Sequence, residues 1–466
     1  MKNSDKTGRL IRLDKSHVWH PFTQMKEWLS SSPVIIERGE GNYLIDTDGR
    51  RYLDGVSSLW VNLHGHRKKE IDRAIKAQIE RIAHTTLLGL GNVPSIELAD
   101  RLIRIAPGGL KKVFYSDNGS TAVEIALKMA FQYWAESGHG GKRRFVSFTG
   151  AYHGDTFGSM SVGEIDVFVK KYRPLLFKTI RSPYPYCYRC PVEKAKGAGH
   201  GARRKKEMNY PDCGLECLNV LERILRKHSG ETAALIIEPL IQGASGMITS
   251  PPGFLKGARG LAKRYKVLFI ADEVATGFGR TGTMFACDRE RVRPDILCLA
   301  KGLTGGYLPL AATLVTDDIY RAFLGGYEEQ KTFFHGHTYT GNPLGCAAAL
   351  ANIEVFEKEK VIKGLKKKIA LFEELLEGFR ALRHVGDVRN AGLMAGIELV
   401  KDRVAKEPYP PEERVGFRVL REARRLGLII RPLGDTVVLM PPLSITEDEM
   451  RRMAEITFEC VRTVTG

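Results

Sequence analysis

The stretch Lys266–Gly306, KVLFIADEVATGFGRTGTMFACDRERVRPDILCLAKGLTGG, constrains the fold more than any other part of this chain. It holds two short apolar runs, Val267–Ala271 and Ile296–Ala300, and each delivers a charged residue at its end. The first is too short for a typical helix and suits a strand inside a parallel sheet; it ends in Asp272 and Glu273. The second ends in Lys301. In an open α/β sheet, ligands bind beyond the carboxyl ends of the strands, so Asp272 and Lys301 are expected to face one crevice. That pair suits pyridoxal phosphate, which needs a lysine amine to bond its aldehyde and a carboxylate to keep its ring nitrogen protonated. On these residues alone another reading stays open, with Asp272 capping a turn and Lys301 a solvated strand end before Gly302 and Gly305–Gly306.

Other segments offer the remaining contacts. VFYSDNGSTAVEIALKMAFQYW reads as a strand, a Gly/Ser turn and an amphipathic helix, whose free N–H groups and Ser120 hydroxyl could receive a phosphate or serve only as a cap. GAYHGDT places Tyr152 after the strand Phe145–Phe148, as a ring to stack on a planar ligand or as a core tyrosine. FHGHTYTGN, Phe334–Asn342, is too polar and Gly-rich for a core element and is expected to be a loop. Arg431 closes an apolar run before Pro432; its fork could grip a carboxylate, or it could be a surface strand end. Phe22 and Trp60 read as hairpin packing or as walls for an aliphatic substrate.

DEVATGFGRTG followed by the strand ending in Lys301, together with HVWHPFTQM, GVSSLWVNLHGH and KTFFHGHTYTGNPLGC, resembles the class III pyridoxal-phosphate aminotransferases from His17 to about Pro442. The resemblance implies the fold-type I architecture: a mainly parallel central sheet in a large α/β domain, and a smaller α+β domain built from both chain ends. It implies a homodimer in which Gly119 and Ser120 hold the cofactor phosphate, Tyr152 lies beside the cofactor and Asp155 stands behind it. The loop would cross to the partner's cofactor, with Gly336 near the substrate and His337 and Thr338 completing the phosphate site. The similarity is greatest to the biotin-pathway branch, which implies transamination of 8-amino-7-oxononanoate to 7,8-diaminononanoate. Arg431 would then take the acceptor's carboxylate, and Trp60 and Phe22 would flank its chain. Many relatives carry tyrosine where Phe22 stands, and its hydroxyl helps recognise the amino donor, so the donor stays open between S-adenosylmethionine and lysine. His337 also stands where relatives often have another residue. The rival readings are another class III ω-aminotransferase, acting on ornithine, 4-aminobutyrate or a similar amine, and a metal-pinned basic binding protein on a degenerate scaffold.

The 466 residues allow a large domain at 66–345, with the amino-terminal segment 1–65 and the tail 346–466 forming the smaller one. Residues 1–16 show no clear periodicity and read as a loose arm, followed by an antiparallel hairpin turning at Asp48–Gly49. Arg67–His84 has helical spacing, with Ile71, Ile75, Ile79 and Ile82 on one stripe. The net charge of +17 is spread through mixed-sign runs and comes without a nucleic-acid motif, so it reads as solubility and attraction of small anions. No signal-peptide core or membrane span is apparent, which points to a cytoplasmic enzyme with no membrane partner. Cys187-x-x-Cys190 and Cys213-x-x-x-Cys217 bracket an insertion at about 186–217 that contains His200; the spacing permits a structural zinc site or four unligated thiols.

Overall fold

A computed structural model describes residues 3–192 and 212–466. Seven strands form the central sheet: β1 Leu110–Ser116, β2 Arg144–Phe148, β3 Ile180–Ser182, β4 Thr232–Ile237, β5 Leu268–Asp272, β6 Ile296–Leu299 and β7 Ala311–Thr316. Their spatial order is β1-β7-β6-β5-β4-β2-β3. All neighbours run parallel except β7, which is antiparallel to both β6 and β1. The apolar runs that mark β4, β5 and β6 are buried along their whole length, as strands covered on both faces must be.

Alternation decides which face each residue serves. Leu268, Ile270, Ile296 and Cys298 pack with the helix Gly119–Glu136, whereas Phe269, Ala271, Leu297 and Leu299 join the larger core on the other side. Each such leucine, isoleucine or phenylalanine contributes about 1.5–3 kcal/mol by leaving water, so the two strands that carry the charged residues are among the most firmly held. β5 and β6 pair in register, Asp272 opposite Cys298.

Two four-stranded sheets and a two-stranded ribbon, Ile241–Gln242 with Ile248–Thr249, accompany this one. Ile36–Glu40, Tyr43–Asp46 and Arg51–Asp54 make a three-stranded meander, one strand more than the expected hairpin, and Leu428–Ile429 from the tail adds to it in parallel. Gly49, at φ +83°, supplies the turn between its second and third strands. The tail also builds a four-stranded sheet from Val385–Ala391, Met394–Leu399, Thr436–Leu439 and Arg431–Leu433.

Two expectations need correction. The supposed loose arm is a helix, Asn3–His17. Polar contacts dock it: Lys15 Nζ donates to the Ser31 carbonyl at 2.7 Å, and Asp14 accepts from Trp28 Nε1 at 2.7 Å and pairs with His20. A search for apolar periodicity cannot find a helix held this way. The isoleucine stripe also ends early, because the helix spans only Lys69–Ile79, and Ile79 and Ile82 are exposed while Gln78 is buried.

The cysteines at the insertion are free thiols; Cys187 is exposed, Cys217 is buried, and Cys190 and Cys213 lie between. Among the described residues no group of three His, Cys, Asp or Glu is placed to hold a metal ion. His200 and the Gly-rich basic run around it lie outside the described residues. No described helix is long and apolar enough to cross a membrane.

Candidate active site

A cavity of about 450 Å³ opens beyond the carboxyl ends of β4, β5 and β6, lined by Asp272, Lys301, Trp60, Ser120, Tyr152 and Glu238 among others. Asp272, the last residue of β5, is buried. Its Oδ2 meets His153 Nδ1 at 2.7 Å, and its Oδ1 accepts from the Val274 N–H at 3.1 Å, so the carboxylate cannot swing. Glu273 serves the opposite face, accepting from the Ala286 and Cys287 amides at 2.6 and 2.8 Å. Burial pushes that carboxyl up to about 7. One strand thus delivers adjacent acids to different tasks, the first to the cavity and the second to holding a turn.

Lys301 follows β6 with φ +44°, in a tight turn that aims its side chain back across the strand ends. Nζ lies 5.0 Å from the centre of the Trp60 ring. Burial lowers the pKa of this amine, and the Asp272 and Glu238 carboxylates only partly offset the shift. A lysine so placed gives up its proton more readily than one in water, which suits it to carry protons during catalysis.

The start of the helix Gly119–Glu136 also lines the cavity. Asn118 caps the helix Gly119–Glu136 by accepting from the Thr121 N–H at 3.1 Å, leaving the first N–H groups of the helix for a ligand. Ser120 Oγ is fixed by Thr156, through its hydroxyl at 2.8 Å and its N–H at 3.0 Å. A Cβ on Gly119 would stand 2.5 Å from Val274 Cγ1, and one on Gly154 would stand 2.3 Å from Ser120 Oγ. Gly154 also has φ +128°, a conformation L side chains rarely adopt. Gly154→Ala is therefore expected to displace Ser120 and weaken retention of a phosphate-bearing cofactor about tenfold, equivalent to about 1.4 kcal/mol; dialysis followed by absorbance would measure it, and unchanged retention would remove the helix start from the site.

Tyr152 lines the cavity with its hydroxyl donated to Asp155 at 2.9 Å. Burial first, and then Asp155, raise its pKa, keeping it neutral. Its ring meets Phe168 edge-on at 5.8 Å, and Phe168 meets Phe22 edge-on at 5.2 Å. The Arg431 guanidinium sits 6.0 Å from the centre of the Phe22 ring, half-buried, with its pKa lowered by burial and partly restored by Tyr152. Phe22 and Arg431 thus stand beyond Tyr152, outside the cavity's immediate lining.

Trp60 reaches the cavity from an unusual turn. Ser57, Ser58, Leu59 and Trp60 have φ of +51°, +48°, +71° and +70°, a left-handed turn without a glycine. Such a conformation costs roughly 1–2 kcal/mol per residue. Polar ties hold it: Ser57 Oγ donates to the Met440 carbonyl at 2.5 Å, and Asp54 accepts from the Ser58 N–H and hydroxyl.

Gly336, His337 and Thr338 are exposed and do not line this chain's cavity. His337 Nε2 pairs with Asp117 at 3.3 Å. Burial opposes ionisation of Asp117, but hydrogen bonds from Thr121 and His337 outweigh it and hold its carboxyl below the ordinary range.

Lining or supporting residues not singled out from the sequence include His153, Glu238, Val274 and Phe168. Glu238 carries the same signal as Asp272 and Lys301, a charge directly after a buried strand, here β4. His153 lies inside GAYHGDT, and Val274 lies inside DEVATGFGRTG. Phe168 has no local signal.

An amine, a fixed carboxylate, a capped helix start narrowed by glycines, and the side chains of Tyr152 and Val274 line one cavity and make a set of groups that fits pyridoxal phosphate. Comparison with known proteins agrees. The Aminotransferase class-III family profile matches residues 25–461. The adenosylmethionine-8-amino-7-oxononanoate aminotransferase of Geobacter sulfurreducens is 57% identical across 99% of each chain. The crystal structure of the enzyme of that name from Methanocaldococcus jannaschii superposes with a TM-score of 0.91 at 50% identity, covering 98% of this chain and 99% of that one. An omega transaminase from Pseudomonas jessenii, solved in complex with PMP, superposes at 0.90 with 30% identity over 98% of each chain. With the matched profile and these relatives spanning nearly the whole sequence, the chain belongs to the class-III aminotransferases and is a pyridoxal-phosphate-dependent enzyme.

Proposed function

We propose that this enzyme transfers an amino group to 8-amino-7-oxononanoate, giving 7,8-diaminononanoate for biotin biosynthesis. The observation that carries the reading is the grading of identity: full-length relatives at 52–57% bear this activity in their names, whereas the omega transaminase of the same fold stands at 30%.

Bound pyridoxal phosphate supplies an electron-accepting ring that stabilises negative charge at the carbon losing a proton. The chain's own groups do the rest. Asp272, immobilised by His153 and the Val274 amide, would hold a proton on the ring nitrogen. Lys301 Nζ would anchor the cofactor's aldehyde carbon until the donor amine arrives, then take and return the migrating proton. Gly119 and Ser120 would bind the phosphate, and Tyr152 would flank the ring. Arg431, for which the described residues provide no carboxylate partner, would grip the acceptor's carboxylate, with Phe22 and Trp60 beside the aliphatic chain. Arg431→Ala is expected to raise the KM for the acceptor at least about tenfold, the worth of one charge-assisted contact, with a smaller change in kcat. An unchanged KM in steady-state assays would free Arg431 from this role.

The working unit in this reading is a cytoplasmic homodimer in which Gly336, His337 and Thr338 serve the partner's cofactor. The loop is exposed and adjoins exposed apolar side chains: Tyr339 stacks near His84, Asn92 donates to the Gly341 carbonyl, and Leu88, Leu90 and Phe334 project outward. A surface of this kind asks for a protein partner.

S-adenosylmethionine is the donor named in the relatives' titles, and it is the donor we propose. Phe22 favours a second reading, lysine, because its ring packs on Phe168 and offers no hydroxyl to a donor. Purified enzyme given 8-amino-7-oxononanoate with each donor in turn tests both. Product formed with neither donor would overturn the proposed function.

A further inference from the structure

We propose that Glu238 selects the acceptor by pairing with an ammonium group next to the reacting carbonyl. This rests on the acceptor proposed above, whose amino group at carbon 8 adjoins the oxo group at carbon 7.

Three carboxylates line the cavity: Asp155, Glu238 and Asp272. Asp272 is committed to His153, the Val274 amide and, in the proposed function, the ring nitrogen. Asp155 is exposed at the rim and accepts the Tyr152 hydroxyl. Glu238 is 7% exposed and has one backbone donor on each oxygen, the Tyr152 N–H at 3.1 Å and the Gly243 N–H at 3.0 Å. Those two bonds fix the plane of the carboxylate, yet about half of its four acceptor sites stay unused. Among the described residues it forms no ion pair with a lysine or arginine. Burial first, with Asp272 adding to it and His153 opposing, pushes its carboxyl up to about 7. A cation arriving beside it would restore the charge that burial suppresses.

The position suits the chemistry. A Cβ placed on Gly243 would lie 3.2 Å from the Trp60 ring and 3.8 Å from Glu238 Oε2, so indole and carboxylate both approach this glycine. Lys301 Nζ stands 5.0 Å from the centre of the same indole. Amine, indole and carboxylate all line this one cavity, and Glu238 is near enough to act on the Lys301 amine electrostatically, so a substrate whose reacting carbon is at Lys301 can present a neighbouring ammonium to Glu238. The indole face adds its own attraction for a cation. An acceptor with a cationic head and an anionic tail is then read at both ends, by Glu238 inside and Arg431 outside.

The test compares 8-amino-7-oxononanoate with 7-oxononanoate, which lacks only the amine. Binding of each is titrated calorimetrically to holoenzyme in which borohydride has reduced the bond between Lys301 and the cofactor, so that no turnover occurs. Wild-type enzyme is expected to prefer the amino ketone at least about tenfold, and Glu238→Gln to bring the two affinities within about threefold of each other. Glu238→Asp, which keeps the charge but shortens its reach, is expected to lose part of the preference and serves if the amide variant does not fold. A wild-type ratio near one, or a ratio that survives Glu238→Gln, overturns the assignment. So does a ratio that collapses in Asp155→Asn instead. Wild-type enzyme that does not transaminate the amino ketone sinks the acceptor reading itself, whereas turnover combined with a ratio indifferent to residue 238 sinks only the role of Glu238.

Discussion

Lys301→Ala is expected to lower transamination by about 10⁴-fold or more, because one substitution removes the amine proposed both to anchor the cofactor covalently and to carry the proton. The side chain sits in a turn at φ +44° after β6, and its amine lies in the cavity beside Trp60, so the sheet should survive the change. Two measurements separate chemistry from folding. Turnover falls to near background, and borohydride no longer fixes the cofactor to the protein, while the circular dichroism spectrum stays that of the parent. A variant keeping turnover within tenfold of the parent would show that another amine does the work.

The second large effect belongs to Asp272→Asn. The amide is isosteric and can still meet His153, but it carries no negative charge to hold a proton on the ring nitrogen. Preorganised charge in a water-poor site is worth far more than the same charge in solvent. A fall of about 10²–10³-fold in the rate of the donor half-reaction is expected, read by stopped-flow absorbance. Since the carboxylate already holds two partners that do not depend on a ligand, the loss should appear in the rate more than in cofactor affinity. A half-reaction as fast as the parent's would take Asp272 out of the mechanism.

The pattern of success along the chain has a physical explanation. β5 and β6 were legible because both of their faces are covered, which makes their sequences nearly continuous apolar runs with a charge at the end. Asp272 and Lys301 could be read from that signal, and Glu238 could have been, since it follows β4 in the same way. A helix start after a strand drew attention to Ser120, and only the family resemblance added Gly119. By contrast, the reversed direction of β7 leaves no trace in its composition, and the helix Asn3–His17 is fastened by polar contacts to which apolar spacing is blind. Phe168, which bridges Tyr152 and Phe22, is an ordinary aromatic in sequence and gains its place only from tertiary packing. Gly336, His337 and Thr338 lie on the surface of the chain to which they belong, so the role the resemblance implies for them rests on the proposed dimer.

The left-handed turn at Ser57–Trp60 has a bearing on how the enzyme fails when warmed. Its backbone stores free energy that is kept in check by a few acceptors, the local Asp54 carboxylate and the remote Met440 carbonyl among them. Loosening of those acceptors lets the segment relax well before the seven-stranded sheet comes apart, since parts of a protein open at their own free-energy levels. Heat inactivation then becomes a local event at the indole wall, and the temperature at which catalysis stops lies below the temperature at which the fold melts.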